Sequence, residues 1–269
     1  MRETLEELAA GDLTPAEAEA RLRGYTTITD GDRDARFDAA RETRRGIPEG
    51  ILAEGKTPAE VVAVTEHAVE TSGRAVITRA DATVAEAVER ALTETQPEAT
   101  IERDDRAQTV VVHGPDFEPP RVDADVAIVS AGLADAQAAG EAAVIARESG
   151  PRVERFDDVG VANLDRVLDV VPRLREVDAV VVAAGREGAL PTVVAGRLDA
   201  PVIALPVSAG YGAGGEGQAA LLGMLQSCTI LSVVNVDAGF VAGAQAALIA
   251  RRVADARSGD AQSDDARSG

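Results

Sequence analysis

The stretch AVVVAAGREGALPTVVAGRLDAPVIALPVSAGYGAGGEGQ, residues 179–218, reads as strand, turn, helix, strand and glycine-rich turn. Its apolar runs, AVVVAAG (179–185) and PVIALPVS (201–208), show no polar alternation. A strand that is apolar throughout is buried on both faces, which calls for a parallel sheet with helices above and below. Between the two runs, 188–198 is amphipathic and of helical length. The same rhythm continues outward. VAIVSAG (126–132) and ILSVVNVD (230–237) read as further strands, with a weaker one at 152–156. Helices are predicted over 136–149, 162–175 and 215–227. A last helix, 239–255, is rich in small residues that favour close helix packing, expected between subunits.

The rhythm is absent before residue 121. Residues 1–24 read as two short helices. Leu5, Leu8 and Ala9 form the apolar stripe of the first, and Thr14, Pro15 and Glu17 supply N-cap, N1 and N3 of the second. The charged segment 30–58 has little periodicity. From Pro58 the pattern gives a helix (58–72), a strand (75–79), a helix (82–94) and a strand (107–112). The expected organisation is a small α+β domain over 1–120, closed by the stiff pair Pro119-Pro120, then an α/β domain over 121–255. The tail 256–269 is polar, repeats DARSG at 255–259 and 265–269, and is expected to be disordered.

Charge narrows the setting. The chain has 46 acidic and 27 basic residues, a formal net charge of −19, and Lys56 is its only lysine. Such a field repels nucleic acid and anionic membranes. It suits a protein hydrated in concentrated salt, where the Debye length falls to about 3 Å and carboxylate repulsion is screened. A halophilic cytoplasm is therefore expected, since the N-terminus carries no apolar leader and no span of about 18 apolar residues occurs. The single cysteine, Cys228, excludes an intramolecular disulfide and a cysteine-based zinc site.

In open parallel sheets ligands sit outside the carboxyl ends of the strands. Three strand ends here are rich in glycine and polar groups: Ser130-Ala131-Gly132 with Asp135, Gly185-Arg186-Glu187-Gly188, and Ser208-Ala209-Gly210-Tyr211-Gly212 running on to Gly215. A glycine turn opening into a helix exposes N–H groups at the positive end of the dipole, so both Ser-Ala-Gly turns are candidate phosphate cradles. Neither matches a Walker or dinucleotide fingerprint. Glu187 reads either as a helix-start carboxylate or as a general acid/base; Asp157 and Asp158 divide likewise between cap and ligand. A lone cysteine before an apolar strand is by itself more often inert than reactive. His67 and His113 fall outside the strand ends, have no metal-ligand spacing, and read as structural or surface residues.

These residues together resemble a known family. The run from Gly185 to Cys228, then SVVNVDAGFVAGAQAALI, is similar to the pyridinium-3,5-biscarboxylic acid mononucleotide synthase (LarB) family. So are VSAGLAD, FDDVGVANL and FDAARETRRGIPEGILAEGKTP, which extend the resemblance over about residues 37–250. The sheet domain resembles aminoimidazole ribonucleotide carboxylase, implying a PurE-like (flavodoxin-like) parallel sheet sandwiched by helices and an octameric homo-oligomer.

The resemblance implies carboxylation of the pyridinium ring of nicotinic acid adenine dinucleotide by CO2 or bicarbonate, with hydrolysis of the phosphoanhydride to release AMP. The product is the precursor of a nickel-pincer cofactor. Cys228 then matches the covalent nucleophile, Glu187 a carboxylate near it, and Asp158 an acid/base or metal ligand. Ser130, Gly132, Asp135, Ser208, Gly210, Tyr211 and Gly212 fall where the nucleotide would bind, and magnesium is the expected cation, with its ligands unknown. Two departures stand out: Ala136-Gln137 replaces the family's Leu-Pro, and acidic Glu216 lies near the expected anion site. Lys56, kept where every other basic residue except histidine is arginine, is expected to pair with a substrate phosphate or carboxylate. The rivals are an aminoimidazole ribonucleotide carboxylase-like enzyme, which would need a sheet-domain histidine that this chain lacks, and a non-catalytic nucleotide-binding protein on the same fold.

Overall fold

The computed structural model describes residues 2–268 except 14, 16, 17, 19–21, 23, 31 and 32, and side chains up to 259 except also 3, 29, 30 and 33–35. The chain divides into two compact units between Glu118 and Pro119, just before the expected boundary. The expected cap at Thr14 and Glu17 lies outside the described residues.

In the N-terminal unit, helix α1 (Arg2–Ala10) precedes an antiparallel hairpin, β1 (Thr26–Asp30) and β2 (Arg33–Phe37), and a short helix α2 (Arg41–Arg45). β2 lies in the charged stretch, and β1 just before it, where the sequence reading placed no strand. A mixed sheet follows, ordered β3-β4-β6-β5, from β3 (Gly50–Leu52), β4 (Arg74–Thr78), β5 (Thr100–Asp104) and β6 (Thr109–His113). Helices α3 (Pro58–Ser72) and α4 (Ala82–Thr95) pack on it through Val61, Ala68, Val88 and Leu92. Local signals set these ends: Thr57 and Glu60 form a capping box with Pro58 at N1, and Gly73 closes α3 at φ 74°. β5 was not visible in the sequence because its residues, TIERD, are polar and only partly buried.

The C-terminal unit is a five-stranded sheet in which every pairing is parallel. Its strands are β7 (Asp125–Ser130), β8 (Arg152–Phe156), β9 (Ala179–Ala184), β10 (Val202–Pro206) and β11 (Ser232–Val233), in the order β8-β7-β9-β10-β11. That is the 2-1-3-4-5 order, with its topological switch point between β7 and β9. Alternate side chains feed two cores. Val126, Ile128, Val181 and Leu205 face α5 (Ala136–Glu148) and α9 (Gly239–Ser268). Ala127, Val129, Val180 and Val182 face α6 (Leu164–Leu174), α7 (Ala189–Ala195) and α8 (Gln218–Leu225). The expected α/β class, a parallel sheet sandwiched by helices behind a small α+β region, is what the chain forms.

Three details depart from the sequence reading. β11 pairs over only two residues of the expected 230–237 strand, because the chain turns at Asp237 (φ 54°), whose N–H donates to the Pro206 carbonyl at 2.9 Å. The small residues of α9 serve a packing inside the unit: a Cβ on Gly243 would lie 2.3 Å from the Ala142 carbonyl, and one on Gly239 would lie 2.4 Å from that of Ala138. The tail is helical to Ser268 where disorder was expected from 256; it continues α9, and Arg257 anchors it through Asp178 at 2.5 Å. No described helix is long and apolar enough to cross a membrane.

Candidate functional site

The carboxyl ends of β7, β9 and β10 and the turn after β11 are tied together by two aspartates. Asp135 ends a short 3-10 turn (Leu133–Asp135) after β7 and is buried. Its carboxylate accepts from the Gly132 N–H at 2.8 Å and, across the switch point, from the Gly185 N–H at 3.1 Å. Burial is the main cause that raises its pKa; the two amide bonds oppose this, and the charge of Asp237 adds to it. Asp237, absent from the residues singled out in the sequence, accepts from the Ser208 N–H at 2.9 Å. The β9 and β10 turns also touch directly, since the Arg186 N–H donates to the Ala209 carbonyl at 3.2 Å. A Cβ on Gly185 would stand only 2.2 Å from that carbonyl oxygen, so glycine is required there by close approach.

This arrangement changes the expected roles of several residues. The amides of Gly132 and Ser208, expected to cradle phosphate, already serve Asp135 and Asp237, and Asp135 acts as a clasp between loops. Buried Ser130 turns its hydroxyl to Asp157, donating at 2.8 Å. Asp158, at φ 60°, is exposed and pairs with Arg166 at 3.3 Å. By contrast, Gly210, Tyr211 and Gly212 remain exposed, and their N–H groups meet no acceptor among the described residues. Lys56 is in the other unit, exposed, with its ammonium on the Leu52 carbonyl at 2.5 Å.

Cys228 is exposed on the turn that follows α8. The turn is pinned by hydroxyls that the sequence reading passed over. Thr192 of α7 donates to Ser227 Oγ at 2.9 Å, and Thr229 meets the same oxygen through its hydroxyl at 2.8 Å and its N–H at 3.2 Å. Glu187 is exposed at the start of α7, and Gly223 of α8 packs so closely on its carbonyl that a Cβ would lie 2.4 Å away. The elements carrying Cys228 and Glu187 are therefore neighbours. His67 is held structurally: its Nε2 lies 2.5 Å from Thr26 Oγ1 and its ring meets Phe37 edge-on. His113 stacks beside Phe117.

Comparison with known proteins fits this two-unit geometry. The LarB/PurE-like N-terminal domain matches residues 29–114, and AIR carboxylase matches residues 125–264, more than half of the chain. This chain belongs to the LarB family. The match gives it the LarB order of domains, an N-terminal domain followed by a PurE-like carboxylase domain, and supports a carboxylase-type function. One relative, an uncharacterised protein of Methanocaldococcus jannaschii, is 32% identical over 260 residues, which is 93% of this chain and 97% of the relative. The sheet unit of this LarB-family chain contains no histidine, and its only thiol is exposed.

Proposed function

We propose that the chain carboxylates the pyridinium ring of nicotinic acid adenine dinucleotide and hydrolyses its phosphoanhydride, giving pyridinium-3,5-biscarboxylic acid mononucleotide and AMP. The observation that carries this reading is the exposed thiol of Cys228 in a carboxylase sheet that lacks histidine. A pyridinium ring is too electron-poor to attack CO2. When the Cys228 thiolate adds to the ring, a C–S bond forms and the positive nitrogen takes up the electron pair, leaving a neutral dihydropyridine. Its enamine carbon attacks CO2 and forms the new C–C bond. A base then removes the proton from that carbon, and the C–S bond breaks as the ring rearomatises. Glu187, on the element packed against α8, is the candidate base. In the second reaction water attacks the anhydride, its P–O–P link breaks, and AMP leaves.

Among the described residues no three His, Cys, Asp or Glu side chains are grouped so as to hold a metal ion. The expected magnesium has no such donor set here, and no step is assigned to it. The ion pair of Asp158 with Arg166 favours a structural use of that carboxylate over catalysis. The product would feed nickel-pincer cofactor assembly, in the cytoplasm of a salt-rich cell. Exposed Leu222, Leu225 and Ile230 flank Cys228 in the chain and support a homo-oligomer, octameric by the family resemblance, in which another copy covers α8.

The test is to incubate the protein in high salt with the dinucleotide, bicarbonate and magnesium, beside Cys228→Ala. AMP and the dicarboxylated mononucleotide from the wild type alone are the expected products by mass spectrometry, with both proteins equally folded because the thiol is exposed. AMP without ring carboxylation would remove the nucleophile role. No turnover by folded wild type would favour a nucleotide-binding protein.

A further inference from the structure

Arg186 holds an unusual position at the strand-end edge. It is a non-glycine residue at φ 52°, in the left-handed region that disfavours a Cβ, and it stands beside Gly185. Such conformations persist where the surroundings enforce them, and they gather at ligand sites. Here the surroundings are explicit. The backbone N–H is fixed on the Ala209 carbonyl at 3.2 Å, and the guanidinium carbon lies 4.4 Å from the centroid of the Tyr211 ring. Tyr211 is 78% exposed, so the stacked pair stands at the rim of the edge rather than in the core.

The charge of Arg186 is also unspent. In a chain with 46 acidic and 27 basic residues, Arg155 of β8 and Arg166 of α6 each pair with an aspartate. The guanidinium of Arg186 meets no carboxylate among the described residues. A guanidinium lying flat on an aromatic ring keeps the N–H groups of its edge free for a two-point grip on an oxyanion. In the same turn as Tyr211, the N–H groups of Gly210, Tyr211 and Gly212 have no acceptor among the described residues. Positive charge and unused donors therefore share two adjoining turns.

We propose that Arg186, braced on Tyr211, supplies the positive charge that binds an anionic oxygen of the substrate, with the Gly210–Gly212 turn as the neighbouring donor. The oxygen belongs either to the phosphates or to the ring carboxylate of the pyridine nucleotide, so the assignment rests on the function proposed above. It gives an anionic substrate a point of attachment on a surface dominated by carboxylates.

Arg186→Gly is the informative variant, because glycine adopts the left-handed conformation freely while the guanidinium is lost. Calorimetric titration of the full chain in constant salt, with nicotinic acid adenine dinucleotide and with nicotinamide adenine dinucleotide, measures the effect. The variant is expected to keep or raise its melting temperature while binding the acid dinucleotide about 10- to 100-fold more weakly. Equal weakening for both dinucleotides assigns the anion as phosphate; weakening for the acid alone assigns it as the ring carboxylate. Unchanged affinity for both overturns the proposal. Should the wild type bind neither dinucleotide, the substrate reading fails and pyrophosphate decides Arg186 separately. Binding that Arg186→Gly loses upholds the anion site, while equal binding or none overturns it.

Discussion

Gly185→Ala tests whether the strand-end loops form one tied unit. Gly185 is buried, and its φ lies outside the left-handed region, so alanine meets no backbone strain of its own. The obstacle is steric: the new Cβ would stand 2.2 Å from the Ala209 carbonyl oxygen and 3.3 Å from Asp135 Oδ1. A carbon and a carbonyl oxygen rest at about 3.3 Å or more, so the β9 and β10 turns must part by about 1 Å. That movement strains the bonds crossing the seam, Arg186 N–H to Ala209 at 3.2 Å and Gly185 N–H to Asp135 at 3.1 Å. Overpacking costs about 1–3 kcal/mol and a lost hydrogen bond about 1 kcal/mol, giving about 2–4 kcal/mol. Gly212→Ala is the comparison. It stands at φ 83° with nothing within 4 Å of a Cβ, so only the left-handed penalty of about 1–2 kcal/mol applies. Urea unfolding in high salt, followed by circular dichroism, measures both. Turnover should fall about 100-fold in Gly185→Ala, since a shift of about 1 Å misplaces the Arg186 turn. A Gly185→Ala protein within about 0.5 kcal/mol of wild type, with full activity, would refute the clasp.

Two more outcomes are expected, beside those given for Cys228→Ala and Arg186→Gly. Burial lowers the pKa of His67, so the folded state binds its proton more weakly than the unfolded chain does. The stability it contributes is complete above the ordinary value of 6.5 and is lost as pH falls from there towards the lowered one. The urea midpoint of wild type should therefore drop more steeply than that of His67→Gln over that window; parallel curves would exclude the coupling. Dialysis into dilute buffer should unfold or loosen the chain, because a net charge of −19 is then unscreened. An unchanged circular dichroism spectrum would count against the halophilic reading.

The sheet and its flanking helices were legible because burial on both faces leaves a plain signature. AVVVAA and VIALP are apolar throughout, and their strands match the expected positions to within a residue or two. Helix α3 was legible to the residue from Pro58 and the apolar pattern over 58–72, and its ends are set locally by Thr57, Glu60 and Gly73. The β1–β2 hairpin was not read, and neither was β5, whose polar and only partly buried residues carry no pattern beyond their pairing. At the strand ends, the sequence pointed to the glycine turns but not to what each amide does. The spacing of Asp135 after Gly132 could have foretold their mutual bond; its reach to Gly185 could not be foretold.

The sequence by itself determined the two-unit organisation, the parallel class of the second unit, the family, and a single thiol with no histidine in its sheet. The first two follow from local capping and the period of the apolar pattern, the thiol and histidine placement from composition, and the family from the resemblance of long runs of residues. Only the tertiary structure decided that Asp135 and Asp237 occupy the Gly132, Gly185 and Ser208 amides, that Cys228 is exposed, and that Arg186 rests on Tyr211 and meets no carboxylate among the described residues. Each of those depends on which strand lies beside which. In the order β8-β7-β9-β10-β11, turns far apart in the chain come within hydrogen-bond distance, and there competition among donors and acceptors sets their roles.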